Sequence, residues 1–175
     1  MNSKNKYISL FFLLGIVSIA VLIVSGCERD DICAADTATT PLLIIKFFDN
    51  VTRIDTKIPP NLSVRSSDQS ADVEGSYIYN ANLDSISIPL RTDADITDFR
   101  FTINTDQAEE NIDSLSFEYT TVEEYISSAC GFKVNYEGLT NTLIEEEGGT
   151  NWIREVVIQE LNITDENTTH IFIYH

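Results

Sequence analysis

From residue 85 onward, apolar side chains recur at every second position in short sets divided by polar turns, and this spacing admits little but strands. Ile86, Ile88 and Leu90 form one set and Phe99, Phe101 and Ile103 a second; Leu115, Phe117 and Tyr119 form a third and Phe132, Val134 and Tyr136 a fourth. A period of two places each set on one face of a pleated sheet. Ser85, Ser87, Arg100 and Thr102 fall on the opposite faces. Pro89 has no N–H to give to a ladder, so it marks an edge strand or a strand end.

The flanking segments extend the pattern. Leu42–Phe48 is apolar except for Lys46, which predicts a strand buried on both faces near the centre of a sheet. Residues 34–41 read as an extended entry segment. Residues 55–75, with two prolines and Gly75, read as a long connection around one short strand at Leu62–Arg65. Val122, Tyr125 and Ile126 break the alternation, so a helical turn is expected between Thr121 and Ser128. Glu145-Glu146-Glu147-Gly148-Gly149 reads as a charged turn. Trp152–Ile163 reads as one long strand with a bulge near Gln159, where its apolar phase shifts, and Ile171–Tyr174 as a last strand paired with it. Seven to nine strands at this spacing predict an all-β chain with a single β-sandwich, immunoglobulin-like or related, over residues 42–175. No internal repeat or second domain is visible.

The first 26 residues obey other rules. Lys4 and Lys6 precede an apolar stretch, Tyr7–Val24, interrupted only by Ser9, Gly15 and Ser18. That is the layout of an export signal, although the stretch is also long enough to span a bilayer as a helix. Val24-Ser25-Gly26-Cys27 resembles the lipobox of bacterial lipoproteins, which favours the first reading. The resemblance implies a signal peptide over 1–26, cleavage before Cys27, acylation of the Cys27 sulfur and a lipidated tether over 27–41. Two or three acyl chains anchor firmly, because each buried methylene contributes about 0.8 kcal/mol. Glu28-Arg29-Asp30-Asp31 resembles the surface-export signal of Bacteroidetes-type lipoproteins, with Arg29 where lysine is more usual. The expected location is therefore the outer membrane, lipid-anchored, with surface display set against a solvated tether on the periplasmic side.

Charge narrows the partners. Removing residues 1–26 takes two lysines and no acid from 11 basic and 28 acidic residues, leaving 9 against 28 and a net charge of −19. So acidic a surface repels nucleic acid and anionic membrane and attracts cations. With Cys27 committed to lipid, Cys33 and Cys130 remain as one pair in an oxidising compartment, most simply a disulfide. Metal ligation by the pair lacks a nearby histidine or third cysteine.

Cys33 with the following Leu42–Asp49 strand, Ser87-Ile88-Pro89-Leu90, and Tyr125-Ile126-Ser127-Ser128-Ala129-Cys130-Gly131-Phe132-Lys133 together resemble a family of small uncharacterised Bacteroidetes lipoproteins, a domain of unknown function. The resemblance covers roughly Cys27 to Tyr136, and the C-terminal forty residues add little to it. It implies an envelope lipoprotein, supports the Cys33–Cys130 bridge and supplies no catalytic residues.

Catalysis is poorly provided for. His170 and His175 are the only histidines, and His170 reads as an ordinary strand residue. Nothing selects one carboxylate pair among 28 acids, and no cofactor motif is present. Asp93, Asp95 and Asp98 are weak candidates for calcium, since carboxylates suit that ion, but the glycine of an EF-hand loop is missing. Asp36-Thr37-Ala38, Asp84-Ser85-Ile86 and Asp113-Ser114-Leu115 each resemble the O-glycosylation site used in the same bacterial group, which makes Thr37, Ser85 and Ser114 candidate acceptors. Sequons at Asn50, Asn61, Asn162 and Asn167 mean little in a bacterium. Tyr77 and Tyr79, near a loop, are placed to stack on a sugar or to rim the core. The expectation is a non-catalytic accessory or protein-interaction module at the outer membrane, held to the bilayer by Cys27 and facing an envelope protein. The alternative is a binding module for an extracellular ligand, glycan or calcium.

Overall fold

A computed structural model of the chain describes residues 32–67, 76–146 and 148–175. The expected signal peptide, the candidate lipidation residue Cys27 and the charged run after it lie outside those residues. The chain divides into Met1–Ala34 and a compact unit, Ala35–His175.

Among the described residues the compact unit is an all-β sandwich of nine strands in two sheets. The strands are β1 (Leu43–Phe48), β2 (Leu62–Ser66), β3 (Ser76–Ala81), β4 (Ser85–Ile88), β5 (Ile96–Ile103), β6 (Asn111–Ser127), β7 (Gly131–Leu143), β8 (Glu155–Ile158) and β9 (Ile171–Tyr174). One sheet has the order β4-β1-β9-β8 and the other β3-β2-β5-β6-β7. β1 runs parallel to β9, and the other pairs are antiparallel. The alternating sets face one another as expected: Leu43, Ile45, Phe47, Ile86, Ile88, Ile171 and Ile173 from the first sheet meet Leu62, Val64, Phe99, Phe101, Leu115 and Phe117 from the second. Phe99 sits at the middle of the aromatic cluster, edge-on to Phe101 and Phe117 at 6.2 and 6.1 Å. That geometry suits the ring quadrupoles.

Four expectations need correction. β1 is central, but only Leu43, Ile45 and Phe47 are fully buried; Ile44, Lys46 and Phe48 are half-buried on the outer face. Phe48 gains cover there from Phe172 at 4.8 Å and Tyr174 at 5.8 Å, so the run is apolar for two different surfaces. The helical turn at Thr121–Ser128 is absent. β6 continues straight through it, because β7 pairs with it as far as Ser127 and offers a partner for the backbone. The long strand Trp152–Ile163 is instead a segment that laces the sheets together. Trp152 Nε1 donates to Phe101 O and Ile153 N to Asp113 Oδ2 on the five-stranded sheet, β8 joins the other sheet, and Ile163 returns to bridge Tyr136 on β7. The phase shift near Gln159 marks that change of sheet and not a bulge. Lastly, β3 is a strand that the sequence reading missed, since Tyr77-Ile78-Tyr79 is apolar on both faces and shows no alternation.

One bulge lies in β7. Thr120 pairs with Glu137 and Glu118 with Thr140, which leaves an extra residue on β7. Gly138 takes φ +66° there, a conformation that a side chain strains.

Candidate functional site

Strand directions give the domain two distinct ends. At the entry end lie residues 37–41, the β6–β7 turn and the loop after β4. The path is held by Thr40 Oγ1, which accepts Val134 N at 2.9 Å, and by Thr37, whose Oγ1 lies 3.6 Å from the Cys130 sulfur. Pro41 is buried. Cys33 and Cys130 are joined by a disulfide. Tyr119 and Tyr136 close the core beneath this end, edge-on at 5.0 Å. The Tyr119 hydroxyl donates to Arg91 O at 2.9 Å, while Arg91 N donates to Thr97 Oγ1 at 3.0 Å. The Tyr136 hydroxyl donates to Leu90 O at 3.1 Å, and burial, with Tyr119 beside it, pushes its pKa up to about 12.

β6 and β7 outrun the sandwich at this end. β5 stops pairing with β6 at Glu118, so beyond it the two strands continue as a two-stranded ribbon. The core-facing row on β7 passes from Tyr136, fully buried, through half-buried Val134 to Phe132, which is 63% exposed. Phe132 pairs across the ribbon with Tyr125, itself 59% exposed, with the rings edge-on at 5.3 Å.

The opposite end is built around the loop from Asp49 to Ile58. Asp49 Oδ1 accepts Val51 N at 2.7 Å and Thr52 N at 3.0 Å, an Asx turn that holds the carboxyl below the usual range. Lys57 Nζ lies 3.3 Å from Asp49 Oδ2 and donates to His175 O at 2.9 Å. Arg53, in a left-handed conformation at φ 64°, stacks on Tyr174 at 3.7 Å and pairs with Glu155. Asp49, Arg53 and Lys57 turn back onto the domain, while Ile58, Val51 and Ile54 are left exposed, the last two most of all. Val51 is 88% exposed and Ile54 79%.

Two buried polar groups are structural. His170, 2% exposed, stands just before β9. Its Nδ1 accepts Ile44 N at 2.9 Å and its Nε2 faces Asp165 O at 3.0 Å. Nδ1 must carry no proton, so Nε2–H is the donor. Burial pushes its pKa below the ordinary histidine value. Asp113, fully buried, holds the segment after residue 150 through Ile153 N at 2.7 Å, and burial raises its carboxyl pKa.

The residues singled out from the sequence fall as follows. Asp93 takes both its oxygens to Arg91, which lowers its pKa, and Asp98 Oδ1 accepts the Ser116 hydroxyl. Asp95 contributes its backbone carbonyl to Tyr119 N at 3.0 Å. Among the described residues no three His, Cys, Asp or Glu side chains form a group that could hold a metal ion. Thr37 is half-buried, Ser85 donates to Ile45 O at 3.2 Å, and Ser114 lies inside β6 opposite Arg100 with Asp113 turned into the core. Tyr79 donates to Asp106 Oδ2 and Tyr77 packs edge-on to Phe99, so each is tied to the domain. An open depression of about 240 Å³ between Glu160, Thr164, Asp165 and His170 is too small and shallow to enclose a drug-sized ligand. Sequence reasoning missed the two apolar surfaces. Val51 and Ile54 sit singly among polar residues, Phe132 reads as a member of an alternating core set, and Tyr125 reads as part of a helical turn.

In class, then, this is a nine-stranded β-sandwich whose buried polar side chains brace loops. The chain belongs to a family of unknown function, DUF6452, whose profile matches residues 62–175. The match takes in the C-terminal forty residues, which add little to the resemblance in sequence, and leaves out Cys33 and β1. No curated protein and no solved structure matches it.

Proposed function

We propose that the protein is an exported lipoprotein anchored in the outer membrane by acylated Cys27, displayed at the surface, whose sandwich is a non-catalytic interaction module for an envelope protein. The observation that carries this reading is the polarity of the domain. The chain enters at one end, and at the opposite end a pinned turn presents Val51 and Ile54 to solvent. Exposed apolar anchors on a preformed loop bind with little ordering cost. Tethering supplies the rest, because a lipid anchor raises the effective concentration near membrane partners. The non-catalytic part is supported by His170, whose two ring nitrogens both engage backbone groups and leave no free base.

The anchor has its own test. Cells expressing the wild type are expected to incorporate labelled palmitate into the protein, and Cys27→Ser to abolish the label. A Cys27→Ser protein that still carries palmitate would overturn the lipoprotein reading.

A further inference from the structure

We infer that the exposed tip of the β6–β7 ribbon is a second membrane contact, with Tyr125 and Phe132 seated in the lipid interface. The inference rests on the anchor reading above. Its starting point is that these rings are the sandwich's core face carried past the end of the sandwich. Tyr136 finds a buried place in that row, whereas Phe132 and its partner Tyr125 are 63% and 59% exposed. A row that ends in two solvated aromatics leaves its tip apolar in search of cover.

The disulfide determines what that cover is. Cys130 lies in the ribbon turn, two residues before Phe132, and is bonded to Cys33. Cys33 follows Cys27 by six residues. A fully extended chain of that length spans about 20 Å. With acyl chains on Cys27, this tether, the bridge and the two residues from Cys130 to Phe132 together confine the ribbon tip to within about 30 Å of the bilayer surface, however the rest of the domain moves. An envelope protein can reach many surfaces of a tethered domain, but the lipid surface is the one partner that the covalent path brings to this tip. The chemistry agrees. A tyrosine hydroxyl over an apolar ring suits the headgroup boundary, where aromatic residues concentrate. Of the two flanking acids, Glu124 is paired with Lys133 at 3.2 Å, and Glu123, exposed two residues before Tyr125 on the same face, sets the depth by staying at the headgroup level.

The contact is tested on the acylated full chain in phosphatidylcholine vesicles, with and without lipids brominated near the headgroup end of their chains. Phe132→Trp places a reporter at the tip and Ile54→Trp one at the far end; both positions are exposed, so neither change disturbs the core. Trp152, the single native tryptophan, is buried beside Phe101 far from the tip and serves as a constant background. The tip reporter, at a depth of about 5–10 Å, should shift to the blue and lose roughly half its emission to bromine, while the reporter at position 54 stays unquenched. Vesicles that carry the protein with no quenching at position 132 would overturn the membrane contact and leave the anchor intact. Equal quenching at both positions would overturn an oriented tip. Protein that fails to float with the vesicles would remove the anchor, and the contact with it. In cells, a photo-crosslinker at position 132 that captures a protein and no lipid would assign the tip to that protein instead.

Discussion

Replacing Cys33 and Cys130 together by serine is expected to lower the free energy of unfolding by roughly 4–5 kcal/mol. The bridge closes a loop of nearly 100 residues, so the unfolded chain loses much of its freedom when the bond is intact. The chain-entropy cost rises with loop length, and this loop takes in β1 to β6. For a domain of this size the loss corresponds to a fall in midpoint of roughly 10–20 °C. Urea unfolding of the wild type, the double serine variant and the wild type in reductant checks it. The last two should coincide. A difference from the oxidised wild type below about 1 kcal/mol would mean that the loop is already restrained in the unfolded state.

His170→Ala is the second large effect, expected to cost about 3 kcal/mol. It removes a buried ring and orphans Ile44 N–H on β1 and Asp165 C=O in the loop that leads into β9. The same residue sets a pH dependence. Its folded pKa lies below 6.5, chiefly through burial, so the unfolded chain takes up the proton first on acidification. The stability that neutral His170 contributes is thus fully present above 6.5 and is lost as pH falls toward its folded pKa. His175 is lowered for the same leading reason and acts in the same direction. Asp113 works oppositely. Its raised pKa gives a contribution that is full below 3.8 and lost as pH rises through the folded value. Wild-type stability should therefore fall between pH 7 and pH 5, and the slope should flatten in His170→Ala. An unchanged slope would show that His170 does not titrate between the two states.

Much of the fold was legible because a strand with one buried face writes itself in alternate residues. Phe99, Phe101, Leu115 and Phe117 are apolar where the core requires it and polar between. The misreadings occur where a residue serves two surfaces or changes partner. Phe48 is apolar for an outer face that Phe172 and Tyr174 cover, and the segment from Trp152 to Ile163 touches β5 and β6, joins the other sheet as β8 and then returns to β7. Val122 and Ile126 break the alternation because β6 is exposed or half-buried on both faces from Thr121 onward, with no buried side to enforce one. The buried roles of His170 and Asp113 were hidden for another reason. Their partners are backbone groups distant in sequence, Ile44 N and Ile153 N, and backbone groups leave no mark in composition. The apolar turn at Val51 and Ile54 was equally silent, since two isolated aliphatics among polar residues carry no period.

In the proposed function, the tethered sandwich offers its far turn to an envelope protein. A photo-crosslinking residue placed at Ile54 in the acylated protein, activated in living cells and followed by mass spectrometry, tests it most directly. One envelope protein captured at near-stoichiometric yield, and lost when Val51 is changed to Asp, is the predicted result. Irradiation that leaves the protein uncrosslinked at position 54 in cells would contradict it.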